Sequence, residues 1–104
     1  MEVEKGFYYH YKHDQQGEIN NYAYEVIGFG MHTELHDDLM GELVLYRPLY
    51  EAFVYKRGKW FDVRPIVMFL EPVVKDGKTI ERFTKITDPV LIAKLVEIRD
   101  RMHP

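Results

Sequence analysis

Short apolar or aromatic runs alternate with turn-forming residues, and this pattern constrains the fold of the chain more than any other feature of its sequence. The runs are rich in Tyr, Phe, Val, Leu and Ile, which is typical of β-strands, and only the last fifteen residues carry a helical period. At 104 residues the chain has the length of one domain. We therefore expect a single, mainly β domain over residues 1–104: a small barrel or a curled antiparallel sheet with a C-terminal α-helix.

Three strands are predicted in the first half of the chain, at residues 7–12, 22–29 and 43–47. In the first of them, Phe7 and Tyr9 should face one side of the sheet and Tyr8 and His10 the other. Residues 31–41 are expected to form a loop, with one helical turn capped by Thr33 as the alternative. Residues 66–74 are expected to be extended, with an interruption at Pro72.

Glycines indicate where the chain turns. Gly28, near the end of the second predicted strand, favours a β-bulge or a sharp bend. The pair Asp76-Gly77 separates two β-prone runs and predicts a tight hairpin over residues 73–80, because both residues tolerate positive φ. Gly58 likewise predicts a hairpin between strands at 53–55 and 60–64.

The segment 88–103 predicts an amphipathic helix. Asp88 is suited to the N-cap position, and Pro89 is suited to the first helical position, where no backbone donor is needed. An apolar stripe recurs at intervals of three and four residues, at Leu91, Leu95, Ile98 and Met102. Because an isolated helix of this length is marginally stable in water, the stripe should be buried against the sheet or against a second copy of the chain.

The residue types that the chain lacks exclude several kinds of chemistry. Without cysteine there is no disulfide, thiol nucleophile, Cys-ligated zinc or iron–sulfur cluster, and without serine there is no serine triad. No glycine-rich phosphate loop is present. An enzyme is therefore the less favoured interpretation, and neither a catalytic residue nor a cofactor is predicted.

Five histidines raise the question of a metal site. His10 and His13 would point to opposite faces of a continuous strand. His32 and His36 flank Glu34, but their spacing differs from the zinc-peptidase motif, in which Glu directly follows the first His. Surface or hydrogen-bonded histidines are therefore the preferred interpretation, and no metal ligand is predicted.

The formal net charge is −3, with −6 in residues 1–50 and +3 in residues 51–104. We expect strands from the two halves to pair, so that this asymmetry averages out in space. The small negative total gives no reason to expect general binding to polyanions. No apolar run is long enough to span a membrane, and the first residues lack the apolar stretch of a secretory signal, so a cytoplasmic protein without a membrane partner is expected.

Aromatic and arginine side chains form the most suggestive set of candidate site residues. They lie on adjacent predicted strands or at strand ends: Tyr46, Arg47, Tyr50, Trp60, Arg64, Phe69, Arg82 and Phe83. Rings and guanidinium groups are typical of sites that bind bases, peptides or anions, although in a small β fold they also commonly form the core. Arg64 stands out because it interrupts an apolar run, where a charge should face water, pair with a carboxylate or bind a ligand.

The same residues carry a resemblance to a protein family. The matching motifs are His10-Tyr11-Lys12, His32-Thr33-Glu34, LVLYRPLY at 43–50, Trp60, Val63-Arg64-Pro65, Met68-Phe69 and Arg82-Phe83. Over residues 6–86 the chain resembles the bacterial domain-of-unknown-function family sixteen fifty-three. It departs from the family in a longer link at 51–59 and in the insertion of Phe61-Asp62 after the tryptophan.

The resemblance implies a compact β fold of the SH3-like barrel kind and no established activity. It also singles out the polar positions that the chain shares with the family: His10, His32, Glu34, Tyr46, Arg64 and Arg82. The helix after Asp88 lies beyond the shared core, so the resemblance implies nothing about its role.

Three functional hypotheses follow. The leading one is a non-enzymatic binding module for a small anionic ligand, a nucleotide or a peptide. In that module Arg64 and Arg82 would bind the anion, Tyr46 and Trp60 would provide stacking surface, and His32 with Glu34 would form a polar rim. The second is binding of single-stranded nucleic acid through Lys56, Arg57 and Lys59, which the net charge disfavours. The third is a small hydrolase or isomerase that uses His32 and Glu34. The expected partner is an unidentified small ligand or protein, and the terminal helix and many aromatic residues make a homodimer a further hypothesis.

Overall fold

A computed structural model of the protein describes residues 3–104. Its elements, in chain order, are β1 (Gly6–His10), β2 (Ala23–Met31), β3 (Glu42–Pro48), α1 (Phe53–Lys56), β4 (Asp62–Pro65), α2 (Ile66–Phe69), β5 (Val73–Lys75), β6 (Lys78–Ile80), β7 (Phe83–Lys85) and α3 (Pro89–Met102). The predicted class, mainly β with a C-terminal helix, is confirmed. Between residues 3 and 104, no helix is long and apolar enough to cross a membrane.

Five strands form one antiparallel sheet in the order β4-β3-β2-β1-β7. The strands β4 and β7 are the two edges of this sheet, so it is open and does not close into a barrel. Strands β5 and β6 form a separate two-stranded hairpin. Strands β1, β2 and β3 lie where the sequence predicts them, with ends shifted by one or two residues.

Alternation along the strands gives the sheet two different faces. Phe7 points to the face covered by α3, where the buried side chains are Phe7, Ala23, Leu49, Ile86 and Leu95. We call this the helix face. Tyr8 points to the opposite face, where the buried side chains are Tyr8, Val26, Val44, Tyr46, Phe69 and Phe83. We call this the aromatic face. The predicted alternation in β1 therefore distributes its residues between two hydrophobic clusters.

The C-terminal helix forms as its sequence predicts. The Asp88 side chain accepts a hydrogen bond from the backbone N–H of Val90 at 3.0 Å, and Pro89 is the first helical residue. Leu95 is fully buried, and Leu91 and Ile98 pack beside it on the helix face. The apolar stripe therefore packs against the sheet of its own chain, which is the first of the two predicted alternatives.

Turn signals are confirmed at two glycines. Strands β5 and β6 are joined by Asp76 (φ 52°) and Gly77 (φ 75°), as expected for a tight hairpin. In β2 the register with β3 shifts between Val26 and Gly28, so Ile27 is the extra residue of a β-bulge.

Two local predictions are wrong, and in the predicted loop at 31–41 the alternative of a turn capped by Thr33 is not realised. Residues 53–56 form α1 instead of a strand, so no hairpin forms around Gly58, and β4 pairs with β3. Residues 66–69 form α2 instead of an extended segment. Thr33 caps no helical turn; a 3-10 turn forms at Leu39–Gly41 and is capped by Asp38.

In α2, tertiary packing outweighs strand propensity. Pro65 has no backbone N–H with which to continue the β4 ladder, and the turn that follows it places Phe69 in the core of the aromatic face. In α1, Tyr55 packs edge-on against His103 at 5.5 Å between ring centroids.

Candidate functional site

Aromatic rings pack edge to face across the centre of the aromatic face. Tyr46 on β3 contacts both Tyr24 on β2 and Phe83 on β7, with centroid distances of 5.5 Å and 5.7 Å. Phe83 in turn stacks on Phe69 from α2 at 4.1 Å. Such pairs form a rigid apolar floor, because offset and perpendicular ring contacts are favourable in addition to the area that they bury.

Arg64 extends over this floor from β4. It lies opposite Val44 on β3, and its Nε donates a hydrogen bond to Tyr46 Oη at 3.2 Å. Its guanidinium carbon is 5.7 Å from the centroid of the Phe83 ring, within the range of a cation–π contact. The side chain is half-buried.

Arg64 differs from the other half-buried arginines in its partners. Arg47 and Arg99 each lie 3.0 Å from a carboxylate oxygen of Glu25, and Arg82 lies 3.6 Å from Glu71. Within residues 3–104, no carboxylate oxygen lies within 4.0 Å of an Arg64 nitrogen. Its positive charge is therefore not neutralised by a direct ion pair in the described structure.

His10, at the end of β1, is the second predicted residue on this surface. The backbone N–H of Lys12 donates to His10 Nδ1 at 3.1 Å, and the ring lies edge-on to Phe83 at 5.1 Å. Burial, together with the positive charges of Lys12, Arg64 and Arg82, lowers the pKa of His10 to about 4. At neutral pH the ring is therefore uncharged, and because Nδ1 accepts, Nε2 carries the hydrogen.

Tyrosine hydroxyls form the polar boundary of the surface. Tyr24 and Tyr50 are hydrogen-bonded through their hydroxyl groups. Burial raises the pKa of Tyr24, Tyr46 and Tyr50. All three hydroxyls therefore stay protonated at neutral pH and remain hydrogen-bond donors.

Asp62, which sequence reasoning missed, lies among these hydroxyls. It is opposite Tyr46 in the pairing of β3 with β4, and its charge contributes to the raised pKa of Tyr24, Tyr46 and Tyr50. Burial raises the pKa of Asp62, while the positive charge of Arg64 lowers it. The signal in the sequence was its position two residues before Arg64, which places both side chains on one face of a strand.

We define the Arg64 site as the group of side chains that meet on this part of the aromatic face. Its members are His10, Tyr24, Tyr46, Tyr50, Asp62, Arg64 and Phe83. Three of the seven predicted site residues belong to it: His10, Tyr46 and Arg64. A fourth, Arg82, lies beside it and donates from Nε to the Glu71 carbonyl oxygen at 3.1 Å.

The other three predicted residues lie elsewhere. His32 and Glu34 are in the exposed loop after β2, where the backbone N–H of Glu34 donates to His32 Nδ1 at 3.1 Å. Trp60, which is 60% exposed, precedes β4, with the Arg57 guanidinium 5.4 Å from its ring. In the part of the chain that the structure describes, no hydrogen bond, ion pair or ring contact joins these three to Arg64 or His10.

Two further features bear on what the protein binds. No three His, Asp or Glu side chains of the described residues are grouped so that they could hold a metal ion. An open cavity of about 600 Å³ lies on the same side of the sheet as the aromatic face, between Phe29, Met31 and Ile66. Its charged lining residues are Glu4 and Glu42, so it is unsuited to an anion.

Comparison with known proteins gives one match. No curated protein and no solved structure is similar to the chain. The sequence profile of one family, described as "Protein of unknown function (DUF1653)", matches residues 6–85, a span that contains all seven strands and ends before α3. The match covers most of the chain and agrees with the resemblance that the motifs carry. The protein therefore belongs to the DUF1653 family.

Proposed function

We propose that the protein is a non-enzymatic binding module that holds a small anionic ligand at the Arg64 site. The observation that carries the proposal is the half-buried guanidinium of Arg64, which has no carboxylate partner among residues 3–104. Withdrawing a charge from water is costly unless an opposite charge compensates it. A carboxylate or phosphate group would supply that charge and accept two parallel N–H bonds from the guanidinium.

The neighbours of Arg64 favour binding over catalysis. Neutral His10 and the tyrosine hydroxyls are hydrogen-bond donors that complement an anion. A histidine with a pKa of about 4 is a weak base, and tyrosines with raised pKa are weak acids, so none of them is tuned for proton transfer near neutral pH. The phosphate of a nucleotide or the carboxylate of a peptide would use the same contact.

Titration of ¹⁵N-labelled protein with pentanoate and with inorganic phosphate tests this proposal. We expect saturable amide shifts in β4 and at the end of β1, with dissociation constants of about 1 mM, as is typical of fragments of this size. Arg64→Gln should abolish the shifts. Arg101→Gln, which removes the same charge from an exposed position of α3, should leave them unchanged.

Arg64→Lys separates charge from geometry, because lysine keeps the charge and lacks the planar fork. We expect it to weaken binding about tenfold. Equal binding by the wild type and Arg64→Gln would overturn the proposal. If Arg64→Gln does not fold, as judged by its amide spectrum, the lysine variant decides the matter.

A second candidate function has its own support at α1. Lys56, Arg57 and Lys59 precede exposed Trp60 in the sequence. The Arg57 guanidinium lies 5.4 Å from the Trp60 ring, and the Lys59 amine lies 5.5 Å from the Tyr55 ring. Cations beside exposed rings are typical of surfaces that bind single-stranded nucleic acid. Filter binding of oligo-uridylate should then weaken as salt rises and be lost in Trp60→Ala. Salt-independent retention, or none, would exclude this role.

A further inference from the structure

Two opposite charges lie side by side on β4 without pairing. Asp62 and Arg64 are two residues apart on one strand, so their side chains leave the same face about 7 Å apart. In the described structure, no carboxylate oxygen of Asp62 lies within 4.0 Å of a guanidinium nitrogen of Arg64. The arginine side chain is long enough to cross this distance to the Asp62 carboxylate.

Tyr46 explains why the pair stays open. Its hydroxyl accepts a hydrogen bond from Arg64 Nε, and the Phe83 ring lies beneath the guanidinium. These two contacts hold Arg64 over the aromatic floor. Asp62, directly opposite Tyr46, is left half-buried, and its carboxylate makes no side-chain hydrogen bond with any residue that the structure describes. A half-buried carboxylate without a donor is costly unless something else supplies one.

The surroundings of Asp62 fit a cation. Asp62 lies directly opposite Tyr46, whose ring contacts Tyr24 at 5.5 Å, and the Tyr24 hydroxyl is hydrogen-bonded to that of Tyr50. Tyrosine rings attract cations through their electron-rich faces, and a carboxylate among them adds direct charge pairing. A purely anionic ligand bound to Arg64 would instead bring a second negative charge towards Asp62.

We propose that the Arg64 site selects a dipolar ligand: a small molecule whose carboxylate or phosphate binds Arg64 and whose ammonium group binds Asp62. The inference rests on the proposed anion-binding function and narrows its ligand class. The spacing of about 7 Å at which Asp62 and Arg64 leave the strand sets the length of the ligand, whose two charges should lie at a similar separation. The inorganic anions and simple carboxylates that satisfy Arg64 alone are the weaker ligands.

Three probes of matched length test the inference: 5-aminopentanoate, pentanoate and pentylamine. Extended 5-aminopentanoate places its nitrogen about 6 Å from its carboxyl carbon. We expect it to bind about tenfold more tightly than pentanoate in amide-shift titrations, because a cation among tyrosines and a carboxylate contributes roughly that factor. Asp62→Asn should make 5-aminopentanoate and pentanoate bind equally. Asp76→Asn, which removes one negative charge from an exposed hairpin turn, should preserve the preference.

Asp62→Glu gives a positive test that loss of folding cannot imitate. The added methylene carries the carboxylate further from the strand and closer to the guanidinium at the end of the longer Arg64 side chain. Because the gap between the two charges narrows, the preferred probe should shift from 5-aminopentanoate to the shorter 4-aminobutanoate. If pentanoate and 5-aminopentanoate bind the wild type equally and Arg64→Gln loses both, the anion site stands and the dipolar inference is wrong. If neither probe binds the wild type, both proposals fall.

Discussion

At the scale of single residues, half-buried charge in this protein is usually shared among partners. Glu25, whose side chain is 14% exposed, binds Arg47 of β3 through one oxygen and Arg99 of α3 through the other, each at 3.0 Å. The two arginines thereby connect the helix to the sheet. Asp62 and Arg64 depart from this pattern, because neither makes an ion pair among the described residues although they are neighbours on one face of β4.

Replacing Glu25 by Gln should lower the free energy of unfolding by about 2 kcal/mol, because two half-buried guanidinium groups lose their common charge partner. Urea denaturation followed by circular dichroism measures the change. Glu97→Gln, on the exposed side of α3, should alter stability by no more than about 0.5 kcal/mol. Equal effects of the two substitutions would show that the Glu25 ion pairs contribute nothing measurable.

His10 makes stability dependent on pH in a defined direction. Its pKa is about 4 in the folded protein and near 6.5 in the unfolded chain, so the unfolded state binds the proton first as pH falls. The contribution of neutral His10 is therefore complete above pH 6.5 and decreases as pH falls towards 4. We expect ring resonances of His10 to titrate near pH 4. In Arg64→Gln, which removes a nearby positive charge, they should titrate at higher pH. Titration of the wild-type ring near pH 6.5 would contradict the burial that we infer for it.

The sequence led to part of the site and not to the rest. Arg64 was identifiable because a charged residue within an apolar run must face water, pair with a carboxylate or bind a ligand. The sequence also places Asp62 on the strand face of Arg64, but the significance of Asp62 depends on its pairing with Tyr46 across β3 and β4, and strand pairing is a long-range property. His32 and Glu34 are predicted from the family resemblance, and they lie in the loop after β2 without a contact to Arg64 or His10 among the described residues.

At the scale of elements, local signals succeeded where local chemistry decides the structure. The Asp76-Gly77 turn and the Asp88 cap of α3 each depend on a few adjacent residues, and both form as predicted. Helix α1 buries no side chain. Helix α2 consists largely of residues that favour strands, and it is helical because Phe69 packs into the core of the aromatic face. That information is absent from a short window of sequence.

The 3-10 turn before β3 depends on a close backbone approach at Gly41. A Cβ atom there would lie 1.9 Å from the carbonyl oxygen of Leu35, which is part of the backbone and cannot rotate aside. Gly41→Ala should therefore destabilise the protein by about 2 kcal/mol or more in urea denaturation. Gly28→Ala is the matched control, because a Cβ atom at Gly28 meets nothing within 4 Å. Loss of stability at Gly28 but not at Gly41 would contradict this packing.

At the scale of the whole molecule, the open sheet leaves one edge strand with exposed apolar side chains. Phe61, directly before β4, is 48% exposed, and Val63, on β4, is 54% exposed. Phe53 of α1 is 77% exposed. The stripe on α3 is already buried against the sheet, so it gives no reason for a second copy to bind. The homodimer stays a prediction, and the surface around β4 is now its basis.

Sedimentation over a range of concentrations tests this prediction. We expect a concentration-dependent dimer that Val63→Lys weakens, because the substitution places a charge on the exposed apolar edge. Val74→Lys, on the separate β5–β6 hairpin, is the control for added charge at an exposed valine. A single species of 12.5 kDa at every concentration would end the dimer hypothesis.

Helix α3 lies outside the part of the chain that matches the family, although the fold depends on it. The family match ends at residue 85, three residues before the cap of the helix that covers Phe7, Ala23 and Leu49. A fragment limited to residues 6–85 would expose this hydrophobic surface to solvent, and we expect it to aggregate. The helix that covers this face of the sheet therefore lies outside the span that assigns the chain to its family.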